Sequence, residues 1–349
     1  MPPWTYPFTF TEEDSSQVNG IVTLETPLSF NDGVYRPGKL TLEDGSSLEL
    51  CLYHNRATAT FMYLREGMPD RNLLEIAGLS ASESSGGSRL RLPGQLCLGA
   101  DRIRVIGNAL QGIFAAPVLR AVVETRKQED IAVFPIAREG LKYQVAEALF
   151  ENYGYYCDEV VLDAHHVFDS SVPVYNRKVE LTLFKDKDLN RDQREQITVA
   201  FIADSIASGL VMKEVIERVK DRFEGLQRIE VISPLTTVRG LCRIARAGWK
   251  DGVAVRFHIF ETLLNALPPD YYYSAHFPNP AFHIRPDLEE AYRAWWGVDD
   301  EGNAIADTAC AGYGWSEVFF SPRKQIQMIN QQLQSRHNLT LSQLIRRNL

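Results

Sequence analysis

The chain has 349 residues, 45% of them hydrophobic and 23% charged, a globular composition that supplies a sizeable core. The formal net charge of -8 disfavours a nucleic-acid binder, which needs a cationic face to displace counterions. Cys51, Cys97, Cys157, Cys242 and Cys310 are widely spaced and odd in number, so neither a disulfide framework nor a zinc knuckle is visible, and no run of about 18 apolar residues suggests a membrane span. MPPWTYPFTFTEEDSS carries no basic start and no apolar leader, and a soluble cytoplasmic protein is expected.

Residues 20 to about 65 read as β-rich. KLTLEDGSSLELCLYH sets Leu40 and Leu42 against Leu48, Leu50 and Leu52 with Asp44-Gly45 between them, the pattern of a hairpin with one buried face. ATATFMYL (57–64) reads as a further strand. The Ser/Gly-rich LSASESSGGSRL (79–90) reads as a linker, so residues 1–95 are expected as a β-rich N-terminal region and 96–320 as an α/β unit. NALQGIFAAPVLRAVVETRKQ reads as a helix, IAVFPI (131–136) as a short buried strand, and EGLKYQVAEALFENY as a helix with Leu141, Val145 and Leu149 on one stripe. DEVVLDA and ITVAFIAD (197–204) read as strands. The segment 176–196, NRKVELTLFKDKDLNRDQREQ, is charged and reads as a mobile solvated stretch, from which Arg177 or Lys178 could reach a pyrophosphate. VMKEVIERVKDRF carries Val211, Val215 and Val219 at helical spacing, with Met212 and Ile216 beside them. RIEVISPL and AVRFHIFE are strands around a helix, TVRGLCRIARAG, and residues 321–349 read as C-terminal helices for packing or oligomerisation.

Strands alternating with helices argue for parallel crossovers: an α/β fold with a mostly parallel sheet covered on both faces. In such sheets ligands sit at the carboxyl ends of the strands. VAFIADSIASGL (199–210) lies at such an end. Its Ser205, Ile206, Ala207, Ser208 and Gly209 form a short polar turn into a helix, where unpaired N–H groups and the helix dipole favour an anion. Gly209 allows close backbone approach. Asp204 repels phosphate but can accept from sugar hydroxyls, so a phosphate joined to a sugar is a coherent ligand. An ordinary helix cap with nothing bound is the competing reading. Neither a P-loop nor a dinucleotide fingerprint is present.

The order of four segments resembles the phosphoribosyltransferases of the type I fold, and most nearly their uracil branch. VAFIADSIASGLV is similar to the PRPP-binding strand and phosphate loop. VFPIAREGL (133–141) looks like the Pro-Ile-Leu-Arg-Ala-Gly-Leu segment, FHIFETLLN (257–265) like the strand ending in Asp-Glu-Gly-Leu-Asn, and CAGYGWSEVFF (310–320) falls at the base-binding turn. The resemblance spans about residues 105 to 320. It implies that Arg138, with Glu139 and Gly140, meets the pyrophosphate of PRPP, that Asp204 faces the ribose, that residues 205–209 hold the 5′-phosphate, and that Gly312, Tyr313, Gly314, Trp315 and Ser316 line the acceptor pocket. It further implies Mg²⁺ with PRPP, a small-molecule acceptor and a homo-oligomer, expected as a dimer. The chain departs from the pattern where Leu210 replaces the loop's second glycine, Ala203 the first acid, and Tyr313 and Ser316 two aspartates. The last change points away from uracil as acceptor. The aromatic-rich insertion 268–303 reads as a hood over the pocket or as edge packing. A non-catalytic phosphosugar or nucleotide sensor on the same fold is the alternative function.

His165 and His166, with Asp163 and Asp169 near, raise a metal site. Adjacent residues of a strand face opposite ways, so no residue is read as a metal ligand; one of the two is instead expected to line the pocket, because VVLDAHHVFD falls at the flexible PRPP-side loop of the family it resembles. No nucleophile elbow or zinc-protease motif is present.

Overall fold

A computed structural model describes residues 3–12, 16–31, 33–63, 100–137, 140–172, 177–186, 189–248 and 252–264, with scattered positions between 330 and 346. One sheet runs through the described chain. Strands β1 (Trp4–Thr11), β2 (Gln17–Leu24), β3 (Leu28–Phe30), β4 (Gly33–Leu42) and β5 (Ser47–His54) form its antiparallel wing. Beyond β5 come β12 (Ala254–Phe260), β11 (Arg228–Ile232), β10 (Val199–Ala203) and β6 (Ile131–Ala137), all parallel to one another and to β5. At the far edge β6 pairs with β7 (Asp158–Glu159) and β8 (Leu162–Phe168), and β9 (Arg177–Phe184) runs antiparallel to β8. The α/β expectation holds for the centre, and the antiparallel wing makes the sheet mixed.

The parallel strands are buried on both faces, and alternate residues serve alternate layers. In β10, Val199, Phe201 and Ala203 join one core while Ala200 and Ile202 join the other. Helices α2 (Ala100–Phe114), α3 (Pro117–Val123) and α4 (Val145–Tyr153) cover the first face through Leu110, Ile113, Leu119 and Leu149. Helices α6 (Leu210–Arg222) and α7 (Val238–Ala245) cover the second through Val215, Ile216, Val219, Leu241 and Ile244.

Several local expectations change. ATATFMYL is not a strand: helix α1 (Arg56–Tyr63) starts there, because Asn55 Oδ1 accepts from the Thr58 amide and caps it. The helix expected from 108 to 128 breaks, and α2 and α3 meet at 77°. Pro117 has no amide to donate, and Ala116 before it is extended (φ -68°, ψ 140°). The helix expected from 139 is a 3₁₀ turn at Gly140–Lys142 followed by α4, so Leu141 leaves the stripe and is 39% exposed. The charged segment 176–196 builds β9 and the helix α5 (Arg191–Gln196), which Asn190 caps with a reciprocal Gln193 bond. The hairpin around Asp44-Gly45 forms as expected, with Gly45 at φ 85°.

Candidate functional site

The parallel register brings five strand ends to one edge. Ala203 lies between Pro135 and Ile232, Ile232 beside His258, and Phe260 beside Tyr53. The segments after these strands therefore leave on the same side: Gly140 after β6, 204–209 after β10, 233–237 after β11, 261–262 after β12, and Asn55 after β5. This is the edge at which open α/β sheets bind ligands.

The turn after β10 is held from three sides. Asp204 donates its amide to the Ile232 carbonyl (3.2 Å), and Ile206 donates to Leu235 (2.9 Å) and accepts from the Thr237 amide (2.9 Å). Thr237 Oγ1 donates to the Ala207 carbonyl (2.5 Å) while accepting from the Gly240 amide (2.9 Å) as the cap of α7. The Arg243 guanidinium donates to the Ser208 carbonyl, and Glu12 Oε2 lies 3.4 Å from its Nη2, so the end of β1 is tied to the turn through Arg243. Among the described residues, no protein group bonds the backbone amides of Ala207, Ser208 or Gly209, and α6 begins at Leu210. Successive unpaired amides ahead of a helix N-terminus form an anion-binding concavity.

Gly209 takes the left-handed conformation, φ 80°, and a Cβ there would sit 2.5 Å from the Gly240 carbonyl oxygen. Its lack of a side chain thus serves helix-to-helix approach as well as any ligand. Ser208 is buried, and its Oγ faces the Leu210 amide at 3.4 Å. Ser205 lies in contact range of the first loop: its Oγ and the Tyr143 hydroxyl are 2.6 Å apart. Gly140 lies so close to β10 that a Cβ would meet the Ala203 oxygen at 1.9 Å. Gly140, Tyr143 and Ser205 thereby join the loop after β6 to the turn after β10.

Of the residues picked out from sequence, Asp204 through Gly209 and Gly140 are brought together at this edge. Arg138 and Glu139 lie outside the described residues, as do Gly312, Tyr313, Gly314, Trp315, Ser316 and the insertion 268–303. His165 Nε2 pairs with Asp163 Oδ2 at 3.1 Å on β8. Among the described residues no group of three or more His, Cys, Asp or Glu could hold a metal. Tyr143 and Thr237 were missed from sequence. The only sequence signal for Thr237 is its place three residues ahead of Gly240, a helix-cap spacing, and nothing local marks Tyr143.

Behind the edge, three strands share a buried polar chain. The Tyr53 hydroxyl lies 2.7 Å from His258 Nδ1, His258 Nε2 lies 2.6 Å from Glu230 Oε2, and Arg228 donates to Glu230 Oε1. Glu230, His258 and Tyr53 are fully buried. Burial alone would raise the Glu230 pKa, but the His258 bond and the Arg228 charge outweigh it and hold the carboxyl below its ordinary range. Burial lowers the His258 pKa more than Glu230 raises it. Burial also pushes the Tyr53 phenol well up. One arrangement satisfies every atom: Tyr53 donates to Nδ1 of a neutral imidazole, and Nε2–H donates to an ionised Glu230.

No protein-family model matches the chain, and no curated protein sequence matches it. Solved structures of similar shape include a hypothetical protein from Neisseria gonorrhoeae with bound ppGpp, at 10% identity and a TM-score of 0.32 over 46% of this chain and 81% of that one. A hypoxanthine phosphoribosyltransferase from Staphylococcus aureus matches at 12% identity and a TM-score of 0.30 over 54% and 90%. An adenine phosphoribosyl transferase from Trypanosoma brucei, in complex with AMP, pyrophosphate and ribose-5-phosphate, matches at 12% identity and a TM-score of 0.32 over 51% and 74%.

Proposed function

We propose that this chain binds a phosphorylated sugar at the carboxyl edge of its parallel sheet and transfers a phosphoribosyl group from PRPP to a small nucleophilic acceptor, releasing pyrophosphate. The observation that carries the reading is the turn 205–209: three successive backbone amides that no described protein group bonds, next to one carboxylate, Asp204, at the end of β10. The amides suit a phosphate monoester, and Asp204 suits the ribose hydroxyls beside it. The resemblance of VFPIAREGL supplies Arg138 as the fork for pyrophosphate oxygens. Tyr143 and Gly140, which follow Arg138 closely in the chain, support this assignment, since they hold their own segment against β10 and the turn that carries Asp204.

Mg²⁺ fits the proposal as a passenger of the pyrophosphate. The described residues offer no protein cage, and Mg²⁺ on such substrates takes mostly phosphate and water oxygens with one or two carboxylates, of which Asp204 is the candidate. When bound it would neutralise charge on the departing pyrophosphate. The chain's own residues orient the sugar between Asp204 and the amide turn. The acceptor is not uracil in this reading, because Tyr313 and Ser316 replace the aspartates expected at the base turn.

The single acid and the burial of Ser208 favour a second reading, a phosphosugar or nucleotide sensor without turnover. Melting curves with PRPP, ribose 5-phosphate and a nucleoside monophosphate, with and without Mg²⁺, test the binding. A ligand at 100 times its Kd should stabilise by about 2.7 kcal/mol. No shift with any of them contradicts both readings. Pyrophosphate release then separates transferase from sensor.

A further inference from the structure

At the same edge, three and two strands from β10, the ends of β5 and β12 form a second polar cluster. His54 closes β5, and Glu261 follows β12. His54 Nδ1 lies 3.2 Å from Glu261 Oε2, and their side chains are 2% and 0% exposed. Thr58 Oγ1 donates to the other carboxylate oxygen, Glu261 Oε1, at 2.5 Å. The Glu261 amide donates to the Tyr53 carbonyl at 2.9 Å, and Glu261 itself takes φ 57°, a left-handed conformation rare outside glycine. Asn55 and Thr58 fix the start of α1 by bonding each other's amides, so the group that holds Glu261 is itself held. The cluster is thus over-determined around one imidazole. Yet His54 Nε2 is buried and has no hydrogen-bond partner among the described residues.

A buried orphan nitrogen calls for an explanation. In the tautomer whose Nδ1–H donates to the Glu261 carboxyl oxygen, Nε2 presents a lone pair. This is how a carboxylate prepares an imidazole to take a proton. The position also fits. Three strand spacings of about 4.8 Å put the end of β5 roughly 14 Å from that of β10, a span that a phosphosugar and a ring-sized acceptor laid end to end can bridge. Of the other imidazoles, those of His165 and His166 lie on β8 past the end of β6, on the far side of β10 from His54. By contrast, the His258 of the neighbouring buried chain has both nitrogens engaged.

We propose that His54 is the proton acceptor for the acceptor substrate, with Glu261 and Thr58 as its positioning residues, and that the acceptor is a nucleophile whose attacking nitrogen carries a proton. The inference rests on the phosphoribosyl-transfer reading. In the step, the nitrogen lone pair forms a bond to the anomeric carbon of PRPP. The bond from that carbon to the pyrophosphate oxygen breaks, and pyrophosphate leaves with its electron pair. The nitrogen's proton passes to His54 Nε2, and the imidazolium that forms is stabilised by Glu261.

The test uses the full chain with PRPP, Mg²⁺ and a panel of pyrimidine, purine and arylamine acceptors, read by pyrophosphate release, with PRPP affinity measured by calorimetry. His54→Gln should lower kcat by about 10²–10⁴-fold, with the Kd for PRPP within about threefold of wild type. Imidazole should restore part of the turnover to His54→Ala. Glu261→Gln keeps the size of the side chain and should lower kcat about tenfold or more with PRPP affinity retained. If His54→Gln does not fold, Glu261→Gln and the imidazole rescue decide. Turnover within threefold of wild type in His54→Gln, or in Glu261→Gln where it alone folds, overturns the dyad and leaves phosphoribosyl transfer standing. Wild-type protein that binds PRPP but turns over no acceptor overturns the proton-acceptor role and leaves the phosphosugar site standing. Wild-type protein that does not bind PRPP sinks the underlying reading itself.

Discussion

Two glycines set the geometry of the candidate site, and each is needed for a different reason. Gly140 has no room for a Cβ, since the Ala203 carbonyl would lie 1.9 Å away. Gly209 has both a φ of 80° and the backbone of α7 against it. Gly209→Ala should cost more than about 2 kcal/mol, from the left-handed backbone and the overpacking together. Gly140→Ala should cost about 1–3 kcal/mol from overpacking alone. Urea midpoints check both, and a Gly209→Ala protein as stable as wild type contradicts the packing described. The two residues proposed to bind PRPP should separate by ligand. Arg138→Ala should weaken PRPP far more than ribose 5-phosphate, which lacks pyrophosphate, whereas Asp204→Asn should weaken both alike by about 1.5–3 kcal/mol. Calorimetry of the two variants with the two ligands gives that crossed pattern, and equal losses for Arg138→Ala would reassign it to a structural role.

At the scale of elements, the chain from Tyr53 through His258 to Glu230 ties β5, β12 and β11 beneath the site. It makes stability depend on pH. The folded pKa of His258 is depressed, so the unfolded chain takes up the proton first as pH falls. Its contribution is therefore complete above the ordinary imidazole value of about 6.5 and declines below it. The folded pKa of Glu230 is also depressed, so its contribution is present above the ordinary value of about 4.5 and is lost as pH falls through and below it. Both slopes have the same sign. Wild-type urea midpoints should drop between about pH 7 and 5, by at most about 1.4 kcal/mol per pH unit per group, and drop further below. His258→Gln should be less stable at neutral pH and show a flatter profile between pH 7 and 5. A variant profile parallel to wild type would show that His258 does not carry the dependence. Tyr53→Phe leaves His258 Nδ1 unpaired in the core and should cost about 1–3 kcal/mol at any pH above 7.

For the whole molecule, the decisive contact is the parallel pairing of β5 with β12. It makes the antiparallel wing a continuation of the α/β sheet. The wing supplies His54 and Tyr53 to the carboxyl edge, and through Glu12 and Arg243 it reaches the carbonyl of Ser208. Removing residues 1–54 would uncover β12, whose Phe257, Ile259 and Phe260 are buried, along an unpaired strand edge. Such a truncation should be recovered mainly as aggregate. A soluble, monodisperse fragment from 55 onward, by size-exclusion chromatography and circular dichroism, would show that the α/β part stands without the wing.

The sequence alone determined the parallel strands and the helix after β10, because apolar runs such as VAFIA and the spacing of Val215 and Val219 are short-range signals of burial. It also marked the turn 204–209 and the glycine that ends it, since a lone acid, serines and Gly209 between a strand and a helix form a local chemical pattern. It misjudged ATATFMYL, read as a strand, where one side-chain cap from Asn55 decided for a helix. It misjudged 176–196 because charge was taken for solvation, although pairing with β8 satisfies that backbone. Only the tertiary structure joined Tyr143 to Ser205, Thr237 to Ala207 and His54 to Glu261. The last pair is 207 residues apart in the chain, and each partner alone is an ordinary strand-end residue. What makes them a site is the parallel register, which sends the ends of distant strands to one edge, and no local pattern in the sequence specifies which strands become neighbours.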